Sequence, residues 1–160
     1  MAATNMTNST EINSLDIALL HRQWRKISGL HARGDWSAAI TRAATAAELS
    51  INIAIRFEFE SKSTFDRAFV DSLLKSANGL AGKADRLLIP LVVNNAVRTK
   101  IVKKLIPISK IINSKRNAVA HQGEFCNEAE SDEIISSARE FISVLLCIYD
   151  PDFALRERAP

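Results

Sequence analysis

The sequence predicts an all-α fold, an up-and-down bundle of four long helices with one or two short extra helices. Apolar residues recur at helical spacing, and the 160 residues include only five glycines and four prolines. So few of both argue against an all-β fold with many tight turns. With 47% hydrophobic residues, the chain can bury one core. We expect a disordered tail over residues 1–10, one helical domain over 11–150 and a polar tail over 151–160.

The first long helix is predicted over residues 10–31. Thr10 can cap it, and the carboxylates of Glu11 and Asp16 favour its amino-terminal end. An apolar stripe at helical spacing supports this prediction, and it consists of Ile12, Leu15, Leu19, Leu20, Trp24 and Ile27.

The second long helix is predicted over residues 36–59, with Asp35 as its N-cap after a turn at Gly34. The helix is rich in alanine, and small side chains on one face allow a neighbouring helix to approach closely. Near its end, Glu58 and Glu60 are expected to face solvent.

Shorter elements are predicted next. A third helix over 64–77 should begin after a Ser63 cap, and an apolar segment over 83–92 contains Pro90. The third helix should turn four side chains inward, which are Phe65, Phe69, Leu73 and Leu74.

Two long helices complete the bundle. One should open at Asn94 or Asn95 and end near Gly123, and the last should run over 127–149. Pro107 removes one backbone hydrogen bond, but we expect a kink rather than a stop because the apolar stripe stays in phase through it. That stripe consists of Ile101, Leu105, Ile108 and Ile112.

Charge is unevenly distributed along the chain. Residues 86–123 hold eight basic and no acidic residues, whereas residues 124–160 hold three basic and nine acidic residues. The basic stretch is a candidate surface for a polyanion. Alternatively, it is a solvated helix face whose partner charges lie on the acidic last helix.

Most enzyme signatures are absent from the sequence. It has no P-loop, GxGxxG, HExxH or CxxC motif, and none of its three histidines lies at metal-ligand spacing from another histidine or a cysteine. We therefore expect no metal and no cofactor. The longest apolar run is too short to span a membrane, residues 1–10 lack an apolar signal core, and two cysteines make no disulfide framework. A cytoplasmic protein without membrane contact is expected.

One segment, Ser114 to Gly123, combines residues that can act on a phosphodiester. Histidine transfers protons near neutral pH, arginine grips phosphate through a planar fork, and asparagine donates or accepts hydrogen bonds. Asn117 and His121 are four residues apart and share a helix face. Arg116 and His121 lie about 140° apart around a helix axis, so they need a bend, a long reach or a second subunit to meet.

This segment resembles the HEPN domain (higher eukaryotes and prokaryotes nucleotide-binding). The family signature is an arginine, usually followed by a polar residue, and a histidine after four to six intervening residues. Arg116, Asn117 and His121 match it. The alanine-rich second helix, with Glu48, is similar to the family's earlier core helix.

The resemblance implies a metal-independent ribonuclease whose homodimer brings two arginine–histidine pairs together across a cleft. His121 would handle the proton of the 2′-hydroxyl or leaving group, Arg116 would stabilise the transition state, and Asn117 would orient the phosphate or His121. Products would end in 2′,3′-cyclic phosphate and 5′-hydroxyl groups. Family members act as toxins, RNA-processing enzymes or defence effectors, so an antitoxin or nucleotidyltransferase is an expected partner. RNA contacts would come from Lys103, Lys104, Lys110 and Lys115.

Structural interpretations of the same residues remain open. Arg116 can pair with Asp132 or Glu133 on the acidic helix, and His121 can simply favour a helix C-terminus. Glu48 is expected to be a supporting residue, holding Arg116 or Arg42. HEPN-like domains also serve as non-catalytic interaction or dimerisation modules, and this is the alternative function.

Overall fold

The computed structural model describes residues 11–157, and every regular element in that range is a helix. Four helices are long, as the sequence predicts, and two shorter ones lie between the second and third of them. The helices are α1 (Ser14–Ala32), α2 (Trp36–Lys62), α3 (Arg67–Ser76), α4 (residues 79–92), α5 (Ala96–Gln122) and α6 (Glu128–Cys147). Within α4, the middle segment Lys83–Leu88 is π-helical.

Contacts at the two ends of the bundle establish its topology. At one end, Ser37 of α2 accepts a hydrogen bond from the amide of Cys126, just before α6 begins. At the other end, Tyr149, just after α6, donates to Glu58 of α2. The helices α2 and α6 therefore run parallel, with α1 and α5 antiparallel to them. The predicted up-and-down bundle is confirmed, with α2 at its centre.

The amino-terminal caps differ from those predicted for two helices. Asn13 caps α1 by accepting hydrogen bonds from two backbone amides, and Thr10 lies outside the described residues. Asp66, rather than Ser63, caps α3. Ser63 follows the end of α2 instead, where its hydroxyl donates to the Phe59 carbonyl, so α2 is longer than predicted.

The later start of α3 changes which of its side chains are buried. Val70 and Leu74, four residues apart, face the core, whereas Phe65 and Phe69 are 54% and 43% exposed. The inward placement predicted for both phenylalanines is wrong. Together with Phe59, they form an aromatic group at the surface, with ring centroids 4.6 Å apart for Phe65 and Phe69.

The helix α5 runs without interruption through Pro107, as its apolar periodicity predicts. It begins after an Asn95 cap and ends at Gly123, whose φ of +66° suits glycine far better than other residues. The backbone amides of Gly123 and Glu124 both donate to the Ala118 carbonyl. The chain is thereby turned sharply into α6, which begins with a capping box formed by Asn127 and Glu130.

Glu58 is buried, so the prediction that it faces solvent is wrong. Its carboxylate accepts hydrogen bonds from Arg98 at 2.9 Å and from Tyr149 at 2.8 Å, and it lies 2.6 Å from the ammonium of Lys62. Burial, reinforced by the Glu58 carboxylate, raises the pKa of Tyr149, which keeps its hydroxyl a donor. This cluster joins α2 to the start of α5 and the end of α6.

Residues after α6 pack against the bundle. Phe153 is buried and stacks on the buried ring of His21 in α1, with ring centroids 5.8 Å apart. No periodic pattern predicts this contact, because it comes from a single aromatic residue in a polar segment.

Candidate functional site

The helix α5 carries seven basic residues and no acidic one. Lys103, Lys104 and Lys110 are exposed. On a helix with 3.6 residues per turn, Lys103 and Lys110 share a face with Asn117 and His121, opposite the buried stripe. A basic, carboxylate-free surface therefore leads along α5 to the polar residues at its end.

Lys115 forms ion pairs within the protein. Its ammonium pairs with Glu124 and lies 2.7 Å from Glu130. Hydrogen bonds to Glu124 first, and to Glu130 second, raise the pKa of Lys115. The bond from Lys115 also lowers the pKa of Glu130. Of the four predicted RNA-binding lysines, Lys115 thus has its charge balanced by neighbouring carboxylates.

Arg116 and Asn117 interact with each other. Both are half-buried, and Arg116 Nη1 donates to Asn117 Oδ1 at 3.2 Å. Within residues 11–157, no ion pair joins Arg116 to Asp132, Glu133 or another carboxylate. The alternative ion pair considered from the sequence is therefore not formed.

His121 lies exposed in the last turn of α5. Its position, about 140° around the helix from Arg116, gives the two side chains different directions on one chain. Asn117 lies between them, on the His121 side.

Glu48 has a different partner from those expected. It accepts a hydrogen bond at 2.7 Å from Lys83, whose side chain is only 4% exposed, and Arg42 bonds to Gln23 instead. The prediction that Glu48 holds Arg116 or Arg42 is wrong. The π-helical part of α4 brings Lys83 to α2, and the sequence carried no clear sign of that segment.

A cavity of about 500 Å³ lies between α5 and α6. Lys110 and Ser114 line it from α5, and Glu130 and Glu133 line it from α6. Because the carboxylates of α6 repel phosphate, a polyanion is favoured on the outward face of α5 rather than in this cavity.

The structure also groups three residues that the sequence analysis did not consider together. Atoms of His31, Glu128 and Asp132 lie within 4.8 Å of one another. Glu128 and Asp132 are four residues apart on α6, a spacing visible in the sequence, but nothing there connects them to His31 at the end of α1.

Comparisons with known proteins give no further guidance to this site. No family model matches the chain, and neither the curated proteins nor the solved structures include a match. Among the helices of residues 11–157, none is both long enough and apolar enough to cross a membrane. Function must therefore be argued from the residues of the site.

Proposed function

We propose that this protein is a metal-independent endoribonuclease of the HEPN type, acting as a homodimer and serving as a toxin or defence effector. The observation that carries the proposal is a guanidinium, Arg116, with no carboxylate partner in residues 11–157, next to Asn117 and one turn before an exposed His121. An arginine without an ion-pair partner is available to a phosphate. A cytoplasmic place of action fits the two cysteines, which are both free.

The reaction needs one proton-transfer group and one group that stabilises charge. His121 takes the proton from a ribose 2′-hydroxyl, whose oxygen attacks the adjacent phosphorus. The bond from phosphorus to the 5′-oxygen breaks, and that oxygen receives a proton from water or from the protonated His121. Arg116 stabilises the added negative charge on the phosphoryl oxygens, while Asn117 orients the phosphate or the imidazole. The products are a 2′,3′-cyclic phosphate and a 5′-hydroxyl.

A second copy of the chain can bring an Arg116 side chain and a His121 side chain to the same phosphate. Because the two side chains diverge on α5, one phosphate is more readily reached by the arginine of one protomer and the histidine of the other. A two-fold axis near the end of α5 would create two such pairs and place two basic helices around one cleft. A cognate antitoxin or nucleotidyltransferase would act by covering this cleft.

RNA binding is assigned chiefly to Lys103, Lys104 and Lys110. They are exposed and have no carboxylate partner in residues 11–157. Phosphate contacts of this kind supply affinity without sequence preference. Lys115 contributes less, because Glu124 and Glu130 already balance its charge.

The alternative proposal is a non-catalytic interaction or dimerisation module. The exposed rings of Phe65 and Phe69 support it, as does Phe125, which is 96% exposed in the loop before α6. Large apolar side chains at the surface favour contact with another protein. Such a module would associate normally and cleave no RNA.

Cleavage of RNA in excess EDTA tests the proposal. The wild-type chain should leave 2′,3′-cyclic phosphate and 5′-hydroxyl ends, and His121→Ala should reduce the rate by at least 10²-fold, as loss of general acid–base catalysis does. Gln122→Ala, an exposed neighbour in the same turn, is the matched control and should keep the wild-type rate. Equal cleavage by wild type and His121→Ala, or none by either, would contradict the assignment.

A further inference from the structure

We infer that His31, Glu128 and Asp132 form a binding site for a divalent transition-metal ion, with Zn²⁺ as the best match. The site joins the end of α1 to the first turns of α6. It shares no residue with the proposed ribonuclease motif and does not depend on that proposal.

The geometry supplies three ligand atoms from two helices. One ligand atom of each residue lies within 4.8 Å of the others, and His31 Nε2 lies 2.6 Å from Asp132 Oδ1. Tetrahedral zinc, with bonds of about 2.0–2.2 Å, needs ligand atoms roughly 3.4 Å apart. Glu128 and Asp132 project from the same face of α6, so rotation of their side chains can bring the ligand atoms to this spacing.

The surroundings hold the imidazole in place and leave room for water. The edge of the His31 ring meets Trp36 at a centroid distance of 4.7 Å, which limits rotation of the ring. A cavity of about 270 Å³, lined by Trp24, His31, Asp132 and Arg139 among others, adjoins the ligand atoms. A water molecule can therefore complete a four-coordinate shell.

Electrostatics favour a cation at this position. With a neutral imidazole, the three groups carry a charge of about −2, and in residues 11–157 no lysine or arginine forms an ion pair with Glu128 or Asp132. The nearby Arg139 is paired with Glu157. Two close carboxylates repel each other unless a positive charge lies between them. A bound metal ion supplies such a charge.

The donor set indicates which ion would bind. One imidazole nitrogen and two carboxylate oxygens suit Zn²⁺ and similar first-row ions, whereas Mg²⁺ and Ca²⁺ prefer oxygen ligands alone. Bound zinc would fasten α1 to α6 beside the loop over 123–127, which connects α5 to α6.

Zinc titration of the full, tag-free chain after removal of EDTA tests the site by isothermal calorimetry. The wild type should bind one Zn²⁺ per chain. Loss of a ligand in Asp132→Asn or in Glu128→Gln should weaken binding at least 10-fold. Glu133→Gln, an exposed carboxylate on the same helix turn, is the matched control and should bind like the wild type.

Thermal unfolding gives a second readout. At free zinc of about 100 times Kd, the wild-type Tm should rise by about 5–10 °C, and the rise should vanish in Asp132→Asn. Absence of saturable binding, or wild-type affinity in both ligand variants, would overturn the proposal. Neither outcome bears on RNA cleavage, which is measured in EDTA.

Discussion

Two glutamates on α2, two positions apart, have opposite environments. Glu58 is fully buried among Arg98, Tyr149 and Lys62, while Glu60 is exposed. The buried carboxylate balances a cation at the junction of three helices, so its removal leaves Arg98 and Tyr149 without their shared acceptor.

Replacing these two glutamates should give very different losses of stability. Glu58→Ala should lower the free energy of unfolding by about 3–5 kcal/mol, since one partner of a buried pair is lost. Glu60→Ala should change it by less than about 0.5 kcal/mol, as exposed substitutions usually do. Urea denaturation of both variants measures the difference, and comparable losses would show that Glu58 contributes no special stabilisation.

Burial of His21 should make the stability of the fold depend on pH. Burial first, and then the positive charges of Arg156 and Arg25, lower the pKa of this imidazole from 6.5, although a backbone hydrogen bond with Ala154 works in the other direction. Its Nε2 has no hydrogen-bond partner in residues 11–157. The unfolded chain therefore binds the proton more readily than the folded one.

The direction of this pH dependence follows from the difference in proton binding between the folded and the unfolded chain. Stability should be complete above about pH 6.5 and should fall as the pH is lowered towards the pKa of folded His21. His21→Gln should remove this part of the dependence. Urea unfolding at several pH values between 5.5 and 7.5, in EDTA, measures it, and an unchanged profile in the variant would count against the assignment.

Among the secondary-structure elements, the sequence predicted the extents of the long helices well. It predicted the contacts that cap and connect the helices poorly. Helical periodicity survives Pro107, and Asn95 and Gly123 are distinctive end residues, so the extent of α5 was predictable. Ser63 and Asp66 are both good caps, and only packing decides between them.

In the candidate site, too, local features were predictable from the sequence and long-range contacts were not. The motif residues and the basic face of α5 lie in one continuous segment of the sequence. Their spacing was therefore enough to predict Arg116, Asn117 and His121 as site residues. The bond between Glu48 and Lys83 depends on the π-helical segment of α4, and His31 meets Asp132 across about a hundred residues of chain. Long-range contacts of this kind leave no local pattern.

The face of α5 should determine RNA affinity through charge. In a non-cleaving His121→Ala background, replacing Lys103 and Lys110 by alanine should flatten the slope of log K against log salt by about 1–1.5, as loss of two phosphate contacts to a single strand does. The exposed Lys26 and Lys75, on α1 and α3, provide the control double variant, which should keep the wild-type slope. Equal slopes in both double variants would place RNA binding elsewhere.

In the molecule as a whole, the two ends of the bundle differ in the contacts that hold them together. The end near Glu58 is closed by a buried ionic cluster that joins three helices. The opposite end gathers the last turn of α5, the loop over 123–127 and the first turns of α2 and α6. Because Arg116 and His121 diverge there, we propose that two protomers form the ribonuclease site together.

Complementation between two inactive variants tests whether the site is shared between protomers. Arg116→Ala and His121→Ala, each inactive alone, are mixed in equal amounts, allowed to exchange subunits and assayed for RNA cleavage in EDTA. About half of the dimers are then mixed, and each has one intact site of two, so about a quarter of the wild-type rate should return. Arg116→Ala mixed with the double variant is the control and should stay inactive. A mixture at background beside an active wild type would show that each site is built from one chain, and an inactive wild type would contradict the ribonuclease itself.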